Sequence, residues 1–306
     1  MDEQLNRPKG FGEMLDLTFR LCKNDFSGFF MILLVVLGPV YLIEAIILFL
    51  TGTNFFHELS PTDTLFGQMP NGFSEKESLQ TFNFITASIG TLFVGLATLI
   101  LLPVTRSGVL IAVGQLKNKE HFTAGIVIKR AFSKFWPIFG CSLLFGIIVF
   151  GMIFAGVLTP TLIGVIIGST LNKILGIVIG VLLFIGIAVV AALLVTRWSL
   201  FLGSVVIEND APGLSRSWHL TQQRTWKTLG FFIVVSIITG VISTAISGIT
   251  VLVMGNSVLS IIINDLVSIL TSMIFSVAYA VIYFDMKIRH DGDDLKDMID
   301  SYEGTS

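Results

Sequence analysis

Charge is what this sequence is short of. Only 13% of its 306 residues are Asp, Glu, Lys or Arg, against about 25% in a soluble globular chain. So few charges cannot cover a water-facing surface, which excludes a soluble domain. The formal net charge is −2, too small to point to a nucleic-acid partner, whose phosphates select strongly basic faces. Cysteine is nearly absent. Cys22 and Cys141 lie far apart in the chain, which excludes a disulfide framework and a thiolate metal site. The histidines are His57, His121, His219 and His290. None has a neighbour at metal-ligand spacing, so neither a metal nor a cofactor is expected. Short alternating segments are also missing, which argues against a membrane β-barrel.

What is present is apolar sequence in long runs: 53% hydrophobic residues and a mean hydropathy of +0.86. A helix crossing a bilayer core needs roughly 20 apolar residues. Six runs qualify, at 28–51, 84–105, 136–158, 174–196, 228–254 and 258–284. The expected fold is an all-α membrane protein, a single integral membrane domain over 1–306. The stretch TPTLIGVIIGSTLN (Thr159–Asn172) is apolar too, but Pro160 and two glycines favour a turn or re-entrant piece there. The first 27 residues are mixed in charge and carry no signal-peptide core, so the first span is expected to remain as an anchor.

The basic residues orient the spans. With six crossings the connections alternate sides, and seventeen of the nineteen Lys and Arg fall on one side. Only Lys76 and Lys173 fall on the other. Basic residues flanking spans stay in the cytoplasm. Both termini are therefore expected inside a bacterial cell membrane, with 285–306 as a solvated acidic tail. The acids Asp291, Asp293, Asp294, Asp297 and Asp300 lack the ligand spacing and terminal glutamate of a calcium loop.

A weak internal repeat runs through the chain. Val104-Thr105-Arg106-Ser107 closes the second span and Val195-Thr196-Arg197-Trp198-Ser199 closes the fourth. About thirty residues later Trp136 and Trp226 open the next spans. The N-terminus offers the same unit without its leading span, ending at Phe26. The expectation is three pseudo-repeats, each an amphipathic helix followed by two spans. The amphipathic segments are 11–26, 121–135 and 212–226. Their apolar stripes are Phe11, Met14, Leu15, Thr18 and Cys22; then Ile128, Ala131, Phe132 and Phe135; then Leu214, Trp218, Thr221 and Thr225. Pro212 suits the first turn of the third, with Asp210 as its cap. Helices of this pattern lie among lipid headgroups, and Trp136 and Trp226 prefer that depth. The expected partners are inner-leaflet headgroups and a protein on the cytoplasmic face.

Three stretches carry a family resemblance: RPKGFGEMLDLTFRLCKNDF (Arg7–Phe26), the region Arg197–Trp226 with Glu208 and SRSWHLTQQRTW, and YFDMKIRHDGDDL (Tyr283–Leu295). Together they resemble a bacterial family of uncharacterised polytopic membrane proteins, which share the membrane domain found fused to some glycerophosphoryl diester phosphodiesterases. Phe284 and Lys287 stand where that family's closing motif has a second tyrosine and an arginine. The resemblance implies a membrane domain, not the catalytic barrel, and no residue of the barrel's acid and histidine set is matched.

Candidate functional residues follow from cost. A charge at mid-bilayer costs about 2.5–3.5 kcal/mol on insertion scales, so Glu44 in the first span and Asp265 in the sixth are candidates, with Lys173 as a partner. A second set is interfacial: Glu208 is expected to pair with Arg197 or Arg216 beside Trp226. Gly176 and Gly180 form a GxxxG, a pattern of close helix packing and dimerisation. No catalytic constellation is visible. The expected function is that of a non-enzymatic scaffold, accessory protein or envelope-stress or immunity factor. The alternative is a transporter or lipid-handling protein using Glu44 and Asp265.

Overall fold

In the computed structural model the described residues are 8–56, 77–170, 172–255 and 257–303, with side chains described outside 77–87 and 293–303. His57 and Lys76 lie outside them. The described residues are helical and contain no strand. Six helices are long and apolar enough to cross a membrane, so the chain is a multi-pass helical membrane protein.

A short helix α1 (Phe11–Asn24) turns at Asp25 into α2 (Phe26–Leu50), and the long α3 (Glu77–Lys117) follows. A second short helix, α4 (Ala124–Ser133), turns at Lys134 into α5 (Phe135–Thr170), and α6 (Lys173–Trp198) returns alongside it. One helical turn, α7 (Phe201–Gly203), and a π-helical turn at Ser204–Glu208 extend α6. The short α8 (Leu214–Thr221) then leads into α9 (Thr225–Met254), and α10 (Val258–Glu303) closes the chain.

Several helices outrun the expected spans. α3 has 41 residues, about 60 Å at 1.5 Å per residue, twice a bilayer core of ~30 Å. It passes straight through Arg106, where the span was expected to end at Thr105. The expected turn at Thr159–Asn172 is not there either. α5 continues as helix through Pro160 to Thr170, and prolines are tolerated in helices at membrane depth when neighbours satisfy the freed backbone groups. Close contact supplies the reason. A methyl group on Gly164 would lie 3.0 Å from the carbonyl oxygen of Gly176, and one on Gly176 would collide with Gly164 and Gly168. The glycines therefore pack α5 against α6 within one chain.

α10 is the central staff. From Ser276 to Met286 every residue is buried, and it packs against α1, α2, α3 and α9. Tyr283, Phe29, Phe231, Leu17, Leu110 and Met273 are among the largest fully buried side chains of the bundle. Gly203 lets the Tyr283 ring lie on bare backbone, since any Cβ there would strike the ring.

The short helices depart from their expected faces. α1 buries Met14, Leu17, Thr18, Leu21 and Cys22, while Phe11 stays exposed and meets Phe231 edge-on at 6.1 Å. The buried face is turned toward Leu17 and Leu21 because α2 and α10 cover it. In α4 the buried pair is Val127 and Ala131, with Phe132 exposed. α8 buries Ser217, Leu220 and Thr221. Pro212 is outside α8 altogether: Gly213, at φ +69°, breaks the helical path and serves as N-cap, and no side chain caps it. Asp210 is therefore not a cap. The expected tail at 285–306 is no separate tail, because α10 runs unbroken to Glu303. Trp136 and Trp226 are exposed, as residues facing lipid headgroups would be.

Candidate functional site

Polar side chains gather at three places: a charge network at the basic end of the bundle, the Glu44–Asp265 pair, and a groove between the helices.

The network joins the three stretches that carry the family resemblance. Glu208, at the end of the π-helical turn, accepts from Arg216 Nε at 3.0 Å, lies 2.9 Å from Lys287 Nζ and accepts from the Tyr283 hydroxyl at 3.2 Å. Arg216 also reaches Asp291, at 3.6 Å. Deeper, Asp285 is fully buried. It accepts from the Lys9 backbone N–H at 2.7 Å and from Arg289 Nε at 2.7 Å, while Arg289 donates back to the Lys9 carbonyl. A buried carboxylate is tolerable only when paired and hydrogen-bonded, and these donors meet that condition. The acidic tail was expected to be solvated. Its first residue instead ties α10 to the segment before α1.

Arg197 does not pair with Glu208. Its guanidinium stacks 4.3 Å from the Trp218 ring centre, and its Nε donates to Thr225 Oγ1 at 3.3 Å. Its carbonyl, left open at the end of α6, accepts from the Ser217 and Thr221 hydroxyls at 2.7 and 3.2 Å. Ser217 is thus the residue that fixes α8 against α6, and its small polar side chain gave no signal in the apolar pattern. Lys134 closes the π-helical turn from the side, donating to the Val206 carbonyl and Asn209 Oδ1 at 2.6 Å each. Burial pushes its ammonium below the usual lysine range. Trp226 takes no part in the network.

Glu44 and Asp265, from α2 and α10, are brought close enough to act on each other electrostatically, with Tyr41 beside both. The Asn264 Oδ1 and Asp265 Oδ2 atoms are sealed from solvent without hydrogen-bond partners among the described residues. Lys173 is not their counter-ion. It begins α6, lines a separate groove on the α5–α6 hairpin, and makes no ion pair with either acid. Among the described residues no three His, Cys, Asp or Glu converge as a metal site.

The groove is the feature that sequence reasoning missed. Past Cys141 the only buried residues of α5 are Gly156 and Pro160, and those of α6 before its end reduce to Gly176, all facing the partner helix. The hairpin thus meets the bundle through the start of α5 and the end of α6. Between it and α3, α9 and α10 lies a cavity of about 780 Å³, within the 300–1,000 Å³ of small-molecule sites. Its walls include Leu99, Leu143, Ile147, Phe150, Val195 and Leu229; Arg106, Ser142 and Tyr279 supply polar groups. Tyr279 is already engaged, its hydroxyl accepting from Gly203 N–H at 3.3 Å. Arg106 resembles Arg197 in its sequence context, and both are half-buried, but Arg106 packs on Phe275 beside the groove where Arg197 stacks on Trp218.

These features define a polytopic helical membrane protein with a laterally placed apolar groove. No family model, no curated protein and no solved structure matches the chain.

Proposed function

We propose that this is a non-enzymatic, multi-pass protein of a bacterial cell membrane, with both termini cytoplasmic, that binds a membrane amphiphile between its α5–α6 hairpin and the rest of the bundle. The observation that carries the reading is the cavity of about 780 Å³ between the long apolar helices, apolar along its walls and polar at Arg106 and Ser142. A helix bundle packed for stability alone leaves few voids, and an alkyl chain fits this one chemically. The orientation rests on the one-sided distribution of Lys and Arg. The resemblance to the membrane domain of glycerophosphoryl diester phosphodiesterases belongs to the same proposal, and its support is that Lys9, Glu208, Arg216, Asp285 and Arg289 meet at one end. The three short helices α1, α4 and α8, each leading into a long one, support three pseudo-repeats in the same way.

A second reading, an accessory or scaffold protein, is favoured by the hairpin. Among the described residues no other helix covers its outer half, and its exposed Ile, Leu, Val and Phe side chains suit a helical partner as well as lipid.

The test uses Gly146, which lines the groove and has nothing beyond its chain neighbours and its own helix backbone within 4 Å of the point where a β-carbon would stand. Gly146→Phe puts a ring into open space and improves helix propensity, so the fold is preserved. Native mass spectrometry of the purified chain should show at least one co-purifying lipid in the wild type that the variant has lost. Equal lipid occupancy in both would reject amphiphile binding and leave the scaffold reading.

A further inference from the structure

Arg106 lies about three helical turns before the end of α3, inside the bundle. Its guanidinium sits 4.9 Å from the centre of the Phe275 ring, beside the Tyr279 phenol. Neither is a counter-ion. Its Nε is sealed from solvent and has no hydrogen-bond partner. The Ser142 hydroxyl, from α5 on another wall of the groove, is likewise sealed and unpartnered. Both line the same cavity, and none of its lining residues is acidic.

An intramembrane arginine without a carboxylate is expensive and marks a ligand path or partner. The guanidinium offers planar, forked donors that match a phosphate, and it stays charged at any physiological pH. A serine hydroxyl adds one more donor to the same kind of oxygen. The remaining walls are aliphatic and aromatic. They accept an alkyl chain and hold no carboxylate for an ammonium group, whose charge the Arg106 guanidinium would repel, so a net-anionic headgroup fits better than a zwitterionic one.

We infer that the groove selects an anionic phospholipid from the bilayer, with its phosphate held by Arg106 and Ser142 and its acyl chain along the wall formed by Leu143, Ile147 and Phe150. This rests on the amphiphile-binding reading and adds headgroup selection to it. The occupant is a lipid and not a free anion, because the cation is reached through an apolar groove.

The experiment offers the full-length protein in mild detergent an equimolar mixture of phosphatidylglycerol and phosphatidylcholine with matched chains. Native mass spectrometry reads what is retained, and occupancy in Gly146→Phe is subtracted as non-groove lipid. The wild type should prefer phosphatidylglycerol by about tenfold, which is ~1.4 kcal/mol. Arg106→Gln should bring the two lipids to parity while total occupancy persists, and Arg106→Lys should restore part of the preference. Should Arg106→Gln not fold, Ser142→Ala reads the same site and should lower the preference about threefold, which is ~0.7 kcal/mol. Inorganic phosphate in millimolar excess should not displace the lipid. Parity in the wild type, an unchanged preference in Arg106→Gln or in Ser142→Ala, or displacement by inorganic phosphate would each overturn the inference. Failure of the underlying reading looks different: Gly146→Phe would then retain as much of both lipids as the wild type.

Discussion

Asp285 and Gly176 are both buried, and unlike forces hold them. Around Asp285 a carboxylate with no exposed surface is bonded to a backbone N–H and an arginine, each at 2.7 Å, and residues from separate parts of the chain converge on one stretch of α10. Around Gly176 no ion pair takes part among the described residues, although Lys173 lines the same groove. Two helices touch backbone to backbone through glycines, and the rest of the hairpin faces outward. The basic end is specified by directional bonds that exist in one arrangement. The hairpin is specified by shape, and it can separate from the bundle without breaking a polar contact along most of its length. That difference places the groove: a cavity opens where the hairpin leaves the part of the molecule that polar bonds have locked.

The largest effect should come from breaking the locked end at its centre. Asp285→Ala leaves Arg289 and the Lys9 N–H without their acceptor, and removing one partner of a buried pair costs about 3–5 kcal/mol. The apparent melting temperature in detergent should fall further for this variant than for any other single change named here, and an unchanged value would show that water replaces the carboxylate.

Next in size is the outer layer of the same network. Glu208→Ala and Arg216→Ala should each destabilise, and their double variant should cost less than the sum, with a coupling of about 0.5–3 kcal/mol. Arg197→Ala should add fully to Glu208→Ala, because Arg197 bonds to Trp218 and Thr225 instead. A double-mutant cycle on denaturant unfolding in micelles measures both. Additivity with Arg216, or coupling with Arg197, would contradict the geometry.

The hairpin sharpens the contrast from the other side. Leu162→Ala on its exposed face should change stability by less than about 0.5 kcal/mol, while Gly176→Leu should cost about 1–3 kcal/mol by forcing the helices apart. Thermal unfolding of the two variants side by side checks this, and similar losses in both would mean that the outer face is covered.

Much of this architecture was legible beforehand. Glycine spacing in α6 signalled a close helix contact, although the partner is α5 of the same chain and not a second copy. Glu208 with Arg216 was legible as one of two pairings, because both lie near one end of a span. The groove was not legible. Arg106 and Arg197 follow the same Val-Thr dipeptide, yet Arg197 stacks on Trp218 and bonds to Thr225 while Arg106 packs on Phe275 and lines the groove. Nothing in the local pattern distinguishes them, since packing is set by which helix arrives from elsewhere.

Composition alone determined that the chain is a helical, multi-pass membrane protein, because hydrocarbon admits only long apolar segments whose backbone groups are satisfied internally. The number of candidate spans follows from the same constraint, which acts on each segment separately. Tertiary structure decided the rest: where the helices end, that Asp285 is core and not tail, that Lys173 is remote from Glu44, and that Arg106 faces a groove without a counter-ion. Those outcomes depend on pairs of residues far apart in the chain. A hydrogen bond or a cavity exists only once both of its sides have been brought together.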